Sequence, residues 1–284
     1  LAQIPEVIVT TFGDLMRVPG STASLQEQKT LGADVRMVYS TTDAVHVARQ
    51  NPERKVAFLG IGFETTAPTI AAAVLAARAE GVDNFSVLSS LKLLPPAMYA
   101  LLSGGELDVS GFICPGHVST VIGTAPYEPV AAQYHTPCVV VGFEPVDILQ
   151  GIHMLVSQIE TGEARVEIQY RRAVRPEGNR NALKTIYDVF EPCDAQWRGL
   201  GMIPASGLAF RRDYRAFDAE ALFDLEVPEP AEHRECKCGD ILRGVMIPTE
   251  CKLFRHLCRP ENPIGPCMVS TEGSCAAYYK YSRN

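Results

Sequence analysis

Cys267 and Cys275 stand eight positions apart in "PCMVSTEGSCAAYY" (266–279), with Cys258, Cys251, Cys238 and Cys236 upstream, so six of the nine cysteines fall in the last 49 residues. Clustered cysteines without any sign of export read as metal ligands or redox groups before they read as disulfides. A structural zinc site draws on close pairs such as C-x2-C. The spacing Cys251-x6-Cys258-x8-Cys267-x7-Cys275 is wider and nearly even. It suits an iron–sulfur cube, whose ligands lie farther apart than four ligands on one atom. The plainer reading is that some of the six are small core residues, and the clustering favours metal or cluster over it. Cys114 and Cys138 sit inside strand-like runs and read as buried small hydrophobes.

A second set of chemistry-bearing residues lies upstream, where apolar runs hand over to helices. "GIGFETTAP" (60–68) places Glu64, Thr65 and Thr66 at such a turn, with a proline in the first helical turn. Carboxyl ends of strands are where α/β folds present ligand-binding groups. Either threonine is also a plain helix cap. With only Gly60 and Gly62, the stretch fails as a dinucleotide fingerprint. "FICPGHVSTVIG" (112–123) repeats the architecture, offering His117 as a titrating or ligating group and Ser119 as an N-cap. Glu64 and His117 are expected to reach one pocket. "FGDLMRVPGS" (12–21), where Asp14 and Arg17 are able to pair, and "GFEP" (142–145) make two further polar turns.

The elements that position these groups alternate. Short runs rich in β-branched residues, at 5–13, 35–40, 55–64, 85–90, 111–116 and 137–145, are bounded by Gly or Pro, as strands buried on both faces should be. Helical stretches at 42–50, 68–80, 95–102 and 146–159 lie between them. The expected fold is α/β: two parallel-sheet domains followed by a small, irregular, cysteine-rich iron–sulfur region. A hinge at "RQNPERK" (49–55) divides the chain into 1–52, 53–192 and 193–284. Repeated prolines after residue 190 deny the last region long regular elements, so it needs a staple.

The chain has 284 residues and a net charge of −7, which argues against nucleic-acid binding. Residues 231–284 carry eight Lys/Arg against six Asp/Glu, while the other 230 carry 18 against 27. A slightly basic setting offsets clustered thiolates. No run approaches the ~18 to 20 apolar residues of a membrane span. Without an export signal the expected location is the cytoplasm. The first residue is Leu, and nothing resembles a cleavage site, so an N-terminal piece is expected to be missing.

"TFGDLMRVPGS", "GFETTAP", "CPGHVSTVIG", "GFEPVDILQ" and "PCMVSTEGSCAAYYKY", in this order, resemble the signature blocks of the HypD family of [NiFe]-hydrogenase maturation proteins, from about residue 5 to the end. The resemblance implies two α/β domains and a C-terminal [4Fe-4S] region. It implies a cytoplasmic scaffold, rather than a stand-alone enzyme, on which iron transiently carries CO and cyanide. Its partners would be a HypC-type chaperone and a HypE-type cyanide donor. By position the cluster ligands would be Cys251, Cys258, Cys267 and Cys275, with Cys236 and Cys238 in reserve. Glu64, Thr65, Thr66, His117 and Ser119 would line the central cleft. The family's Cys-Gly-x-His-x-His and Gly-Pro-Gly-Cys-Pro-Val-Cys motifs are absent from these 284 residues. Ile168 in "EIQY" stands where the family commonly has Asn, and Leu91 where it commonly has His. The rival expectation is a small-molecule-binding α/β protein whose tail holds structural zinc.

Overall fold

A computed structural model describes residues 1–20, 22–105, 107–225 and 233–282. The strands are β1 (Val7–Thr11), β2 (Val35–Met37), β3 (Lys55–Gly62), β4 (Phe85–Leu91), β5 (Phe112–Pro115), β6 (Cys138–Val141), β7 (Val166–Ile168), β8 (Phe190–Trp197) and β9 (Gly201–Phe210). The helices are α1 (Leu25–Thr30), α2 (Thr41–Gln50), α3 (Ala67–Ala79), α4 (Leu94–Ser103), α5 (Gly116–Ile122), α6 (Glu128–Tyr134), α7 (Pro145–Thr161), α8 (Arg180–Val189), α9 (Ala219–Leu222), α10 (Cys238–Leu242), α11 (Pro266–Val269) and α12 (Ser274–Tyr281). The α/β expectation holds, with two parallel sheets ordered β2-β1-β3-β4 and β5-β6-β7.

The central strands are covered on both faces, which is why they read as continuous apolar runs rather than alternating ones. All five residues of β1 and all four of β6 are buried. Local chemistry starts and stops the helices where the chain must turn. The Ser40 hydroxyl accepts from Asp43 N and the Asp43 carboxylate accepts from Ser40 N, a reciprocal cap on α2. The long α7 ends on Gly162 in the left-handed region.

The division of the chain differs from the sequence expectation in two places. No boundary falls at 52/53, because β3 pairs in register with β1, Val7 opposite Lys55 through Thr10 opposite Phe58. The stretch 49–55 is not a hinge but a stitched turn. Asn84 Nδ2 donates to the carbonyls of Ala48, Asn51 and Arg54, and Arg54 donates to Asp34. The second sheet is an insertion. After it, α8 returns the chain to the first core, where Ile186 and Val189 are buried beside Phe58 and Val74.

Residue 193 is not a boundary either. The antiparallel hairpin β8–β9 runs through it, and Phe190, Leu208 and Phe210 belong to the first core. Pro192 and Pro204 are accommodated because the hairpin has only two strands and lies beside β4 rather than inside a sheet. Ser89 Oγ donates to Leu208 O and Leu93 N donates to Ser206 O, fixing the hairpin to the end of β4. From residue 233 onward the described helices are eight residues or shorter, and this tail has a core of its own.

Candidate functional site

Glu64 sits just past β3, where Gly62 adopts φ +128° and a Cβ would lie 2.5 Å from Thr66 Oγ1. Only glycine fits that turn. Glu64 is 2% exposed. Its Oε1 accepts from Leu94 N at 2.9 Å, and its Oε2 has no hydrogen-bond partner among the described residues. Burial pushes the carboxyl up, opposed by the backbone amides of Glu64 and Leu94. Burial raises the Tyr187 phenol and the nearby Glu64 charge adds to it, so this carboxylate faces α8 as well as α4. A buried carboxylate with one free oxygen is a costly arrangement for a purely structural residue.

Thr66 holds the N-cap position of α3 without a side-chain cap bond, and Thr65 is partly buried beside it. Ser119 is not a cap. It lies inside α5, donates to Pro115 O at 2.9 Å and pairs with Tyr127 Oη at 3.1 Å. The helix begins earlier than the serine suggested, because Gly116 already turns against the backbone of Val141. His117 is exposed, and its ring packs on Phe143 with centroids 4.9 Å apart. Among the described residues no hydrogen bond, ion pair or ring contact joins Glu64 to His117, but the Tyr127 phenol, raised chiefly by burial, is raised further by the Glu64 charge and bonds Ser119 in the His117 turn. Asp14 and Arg17 make no ion pair among the described residues, and Asp14 Oδ1 accepts from Leu15 N.

The tail is a sulfur core. Cys238, Cys251, Cys258, Cys267 and Cys275 are buried together with Ile241, Leu253, Phe254 and Met268, and the partly buried Cys236 packs against them. Two glycines make room. A Cβ on Gly265 would lie 2.6 Å from Cys236 Sγ, and one on Gly273 would lie 2.3 Å from the Cys267 carbonyl oxygen. Ile264 N donates to Cys258 Sγ at 3.4 Å, the kind of amide contact that tunes a metal-bound sulfur. Arg255 closes the end of the chain, donating to Tyr279 O and Ser282 O while its guanidinium lies over the Phe254 and Tyr279 rings.

Six soft donors within one small core fit an iron–sulfur cluster by donor chemistry. The four-ligand set is less direct. Cys267 Sγ donates to Cys275 Sγ at 3.2 Å. Thiolates that ligate two different irons of such a cube lie farther apart than this, so both could serve only if one of the pair turned away; Cys236 and Cys238 are the other donors in the core. The contact with Cys238 pulls the Cys267 thiol down, but the bond to Cys275 and burial outweigh it and push it up to about 12. Among the described residues no three His, Cys, Asp or Glu side chains are grouped to hold a single metal ion. Beside the core, a cavity of about 230 Å³ is lined by Cys236, Cys238, Lys237, Arg198 and Gly265.

Cys114 and Cys138 are buried, as their strand positions imply. Cys193, which in the sequence has no neighbouring His or Cys, has a charged neighbour distant in sequence. It lies beside Lys92; burial lowers the amine and the thiol's charge opposes that shift.

The HypD family model, described as the hydrogenase formation hypA family, matches residues 1–282. Over 291 residues the chain is 48% identical to the hydrogenase maturation factor HypD2 of Bradyrhizobium diazoefficiens, covering 100% of this chain and 77% of that protein. The HypD of Cupriavidus necator shows the same identity and coverage. The HypD of Rhodobacter capsulatus is 49% identical over 286 residues, covering 99% of this chain and 76% of the relative.

Proposed function

The chain belongs to the HypD family, and from that premise we propose that it is the scaffold of [NiFe]-hydrogenase maturation on which iron is held while CO and cyanide are attached. That it is a hydrogenase maturation factor follows from its relatives; the scaffold role is the finer reading. The observation that carries it is the shared core of six thiols, five of them buried. Cys251, Cys258, Cys267 and Cys275 hold a [4Fe-4S] cluster, with Cys236 and Cys238 as the donors that replace either member of the touching pair. When bound, the cluster supplies one-electron transfer to thiols.

The residues themselves have defined tasks. The tail thiols lose their protons on ligation, and the Ile264 amide steadies Cys258. The iron unit that gains cyanide and CO is substrate. Glu64, Thr65, Thr66, His117 and Ser119 form the two strand-end turns assigned to it. Of these, Glu64 alone offers a free buried oxygen, able to hold a proton or accept one from a delivered group. Ser119 positions Tyr127 rather than touching substrate. A HypC-type chaperone and a HypE-type cyanide donor are the partners. Among the described residues no helix is long and apolar enough to cross a membrane.

The test is purification without oxygen, followed by iron, sulfide and zinc analysis of the wild type and of alanine variants at each of the six tail cysteines. A brown protein with iron and sulfide, lost in four of the six variants, is expected. A colourless protein containing zinc sinks the reading.

A further inference from the structure

α7 is apolar on two sides. Its inner face packs on β5 and β6, with Gly151 against Val141. Its outer face carries Val146, Leu149, Ile152, Val156 and Ile159, at spacings of three, three, four and three residues, which places them along one stripe. These side chains are 43–67% exposed, and Phe143, in the turn that leads into the helix, is 68% exposed. A surface helix ordinarily turns a polar face to water. A contiguous apolar stripe on such a helix marks an interaction site.

The stripe is held rigid at its N-terminal end. Asp147, 3% exposed, accepts from both Arg172 amino groups, and Gln169 Nε2 also donates to it. Gln169 Oε1 accepts from Gly142 N. The turn therefore presents Phe143 outward instead of letting it fold away. An exposed aromatic fixed in advance is the usual anchor of a binding hot spot. Phe143 also packs on His117, so the stripe borders a turn assigned to the substrate.

Charge selects the occupant. α7 contains no Lys or Arg, while Glu144 flanks one end of the stripe and Glu160 the other. Glu144 is matched by Arg172; Glu160 has no ion pair among the described residues. A second copy packed antiparallel would bring the acidic ends together and offer Glu160 only Arg172, whose guanidinium is already engaged by Glu144 and Asp147. An anionic lipid surface is disfavoured for the same reason. We propose that the outer face of α7, with Phe143, is the docking surface for an amphipathic helix of a partner protein, apolar along its centre and basic at its borders. This deepens the maturation reading and rests on it for the existence of a partner chain. The length matches: the stripe spans about 20 Å at 1.5 Å per residue, the reach of a four-turn helix.

The experiment titrates the whole 284-residue chain into two fluorescent helical peptides of roughly 18 residues, sharing a leucine stripe but bordered by lysine in one and glutamate in the other. Saturable binding of the lysine peptide, about tenfold weaker for the glutamate peptide and lost in Leu149→Glu and Val156→Glu with unchanged Tm, is expected. Equal binding of the two peptides, or none, overturns the proposal. So does a dimer in sedimentation that Leu149→Glu abolishes, or pelleting with phosphatidylserine vesicles that it prevents. Iron content separates the two readings. A chain that binds the lysine peptide without holding iron sinks the scaffold and keeps the surface, and the converse result does the reverse.

Discussion

In the first sheet, Ile8, Phe58, Ile70, Phe85 and Phe190 are completely buried between helices and strands, of which β3 and β4 pair over seven residues. In the tail, five of the ten buried core residues are cysteines, and the helices around them are short. Helices of that length are marginal on their own. Both regions are closed cores, but only the first is closed by surface that water rejects strongly. The tail is closed by groups whose best use is as ligands. On the proposed reading, a bound metal would substitute for hydrophobic burial in the tail and would not be needed in the sheet.

The largest effect should follow from breaking the sulfur core. Cys258→Ala removes a buried thiol and its amide contact. It should abolish most iron binding and expose residues 233–282 to protease and hydrogen exchange, with the two sheets still protected. A tail that stays protected without iron would erase the distinction between the cores. Normal iron content would move the ligand to Cys236 or Cys238.

The converse is Phe58→Ala. Phe58 is fully buried with its ring edge-on to Phe12, so a cavity there should destabilise the sheet by about 3 to 5 kcal/mol. Denaturant unfolding checks the size, and iron per chain should be unchanged. Coupled loss of iron would mean that the tail borrows its stability from the sheet.

Glu64→Gln is the smallest in stability and the sharpest in function. Burial raises the carboxyl above its unfolded value of about 4.3. The stability tied to its protonated form is therefore complete below that value and is lost as pH rises through the higher folded one. The glutamine variant escapes that loss, so its Tm should equal or exceed the wild type at pH 7, and the advantage should vanish by about pH 4. Maturation of a hydrogenase should nevertheless fail. A variant that matures normally would reduce Glu64 to the residue that ties α3 to α4.

Much of the fold was legible because parallel strands announce themselves as apolar runs. The helix expected at 146–159 is α7 at Pro145–Thr161, and the strand expected at 85–90 is β4 at Phe85–Leu91. What escaped was set by partners distant in sequence. β7 is three partly buried residues whose strand character comes from pairing with β6. The hairpin carries two prolines that local rules read as breakers, and its place beside β4 could not be seen from the chain. The tail cysteines stood out by type and spacing, yet the contact between Cys267 and Cys275 depends on how Gly273 folds the turn. Glu64 was placed by its strand end. Its single bond reaches Leu94, thirty residues on, and its empty oxygen is a matter of packing alone.

The β8–β9 hairpin sets the geometry between those two regions. Midway along β9, Ser206 is bonded to Leu93, whose neighbour Leu94 is bonded to Glu64. Beyond β8, Arg198 donates to Ile264 O, and Gly199 lies against Gly239 close to Cys238. One short ribbon thus spans from the sulfur core to the residue that grips the buried carboxylate. A ribbon tied at both ends fixes the separation of what it ties. Lengthening its two-strand span, with every thiol left in place, would be expected to move the two ends apart while altering neither.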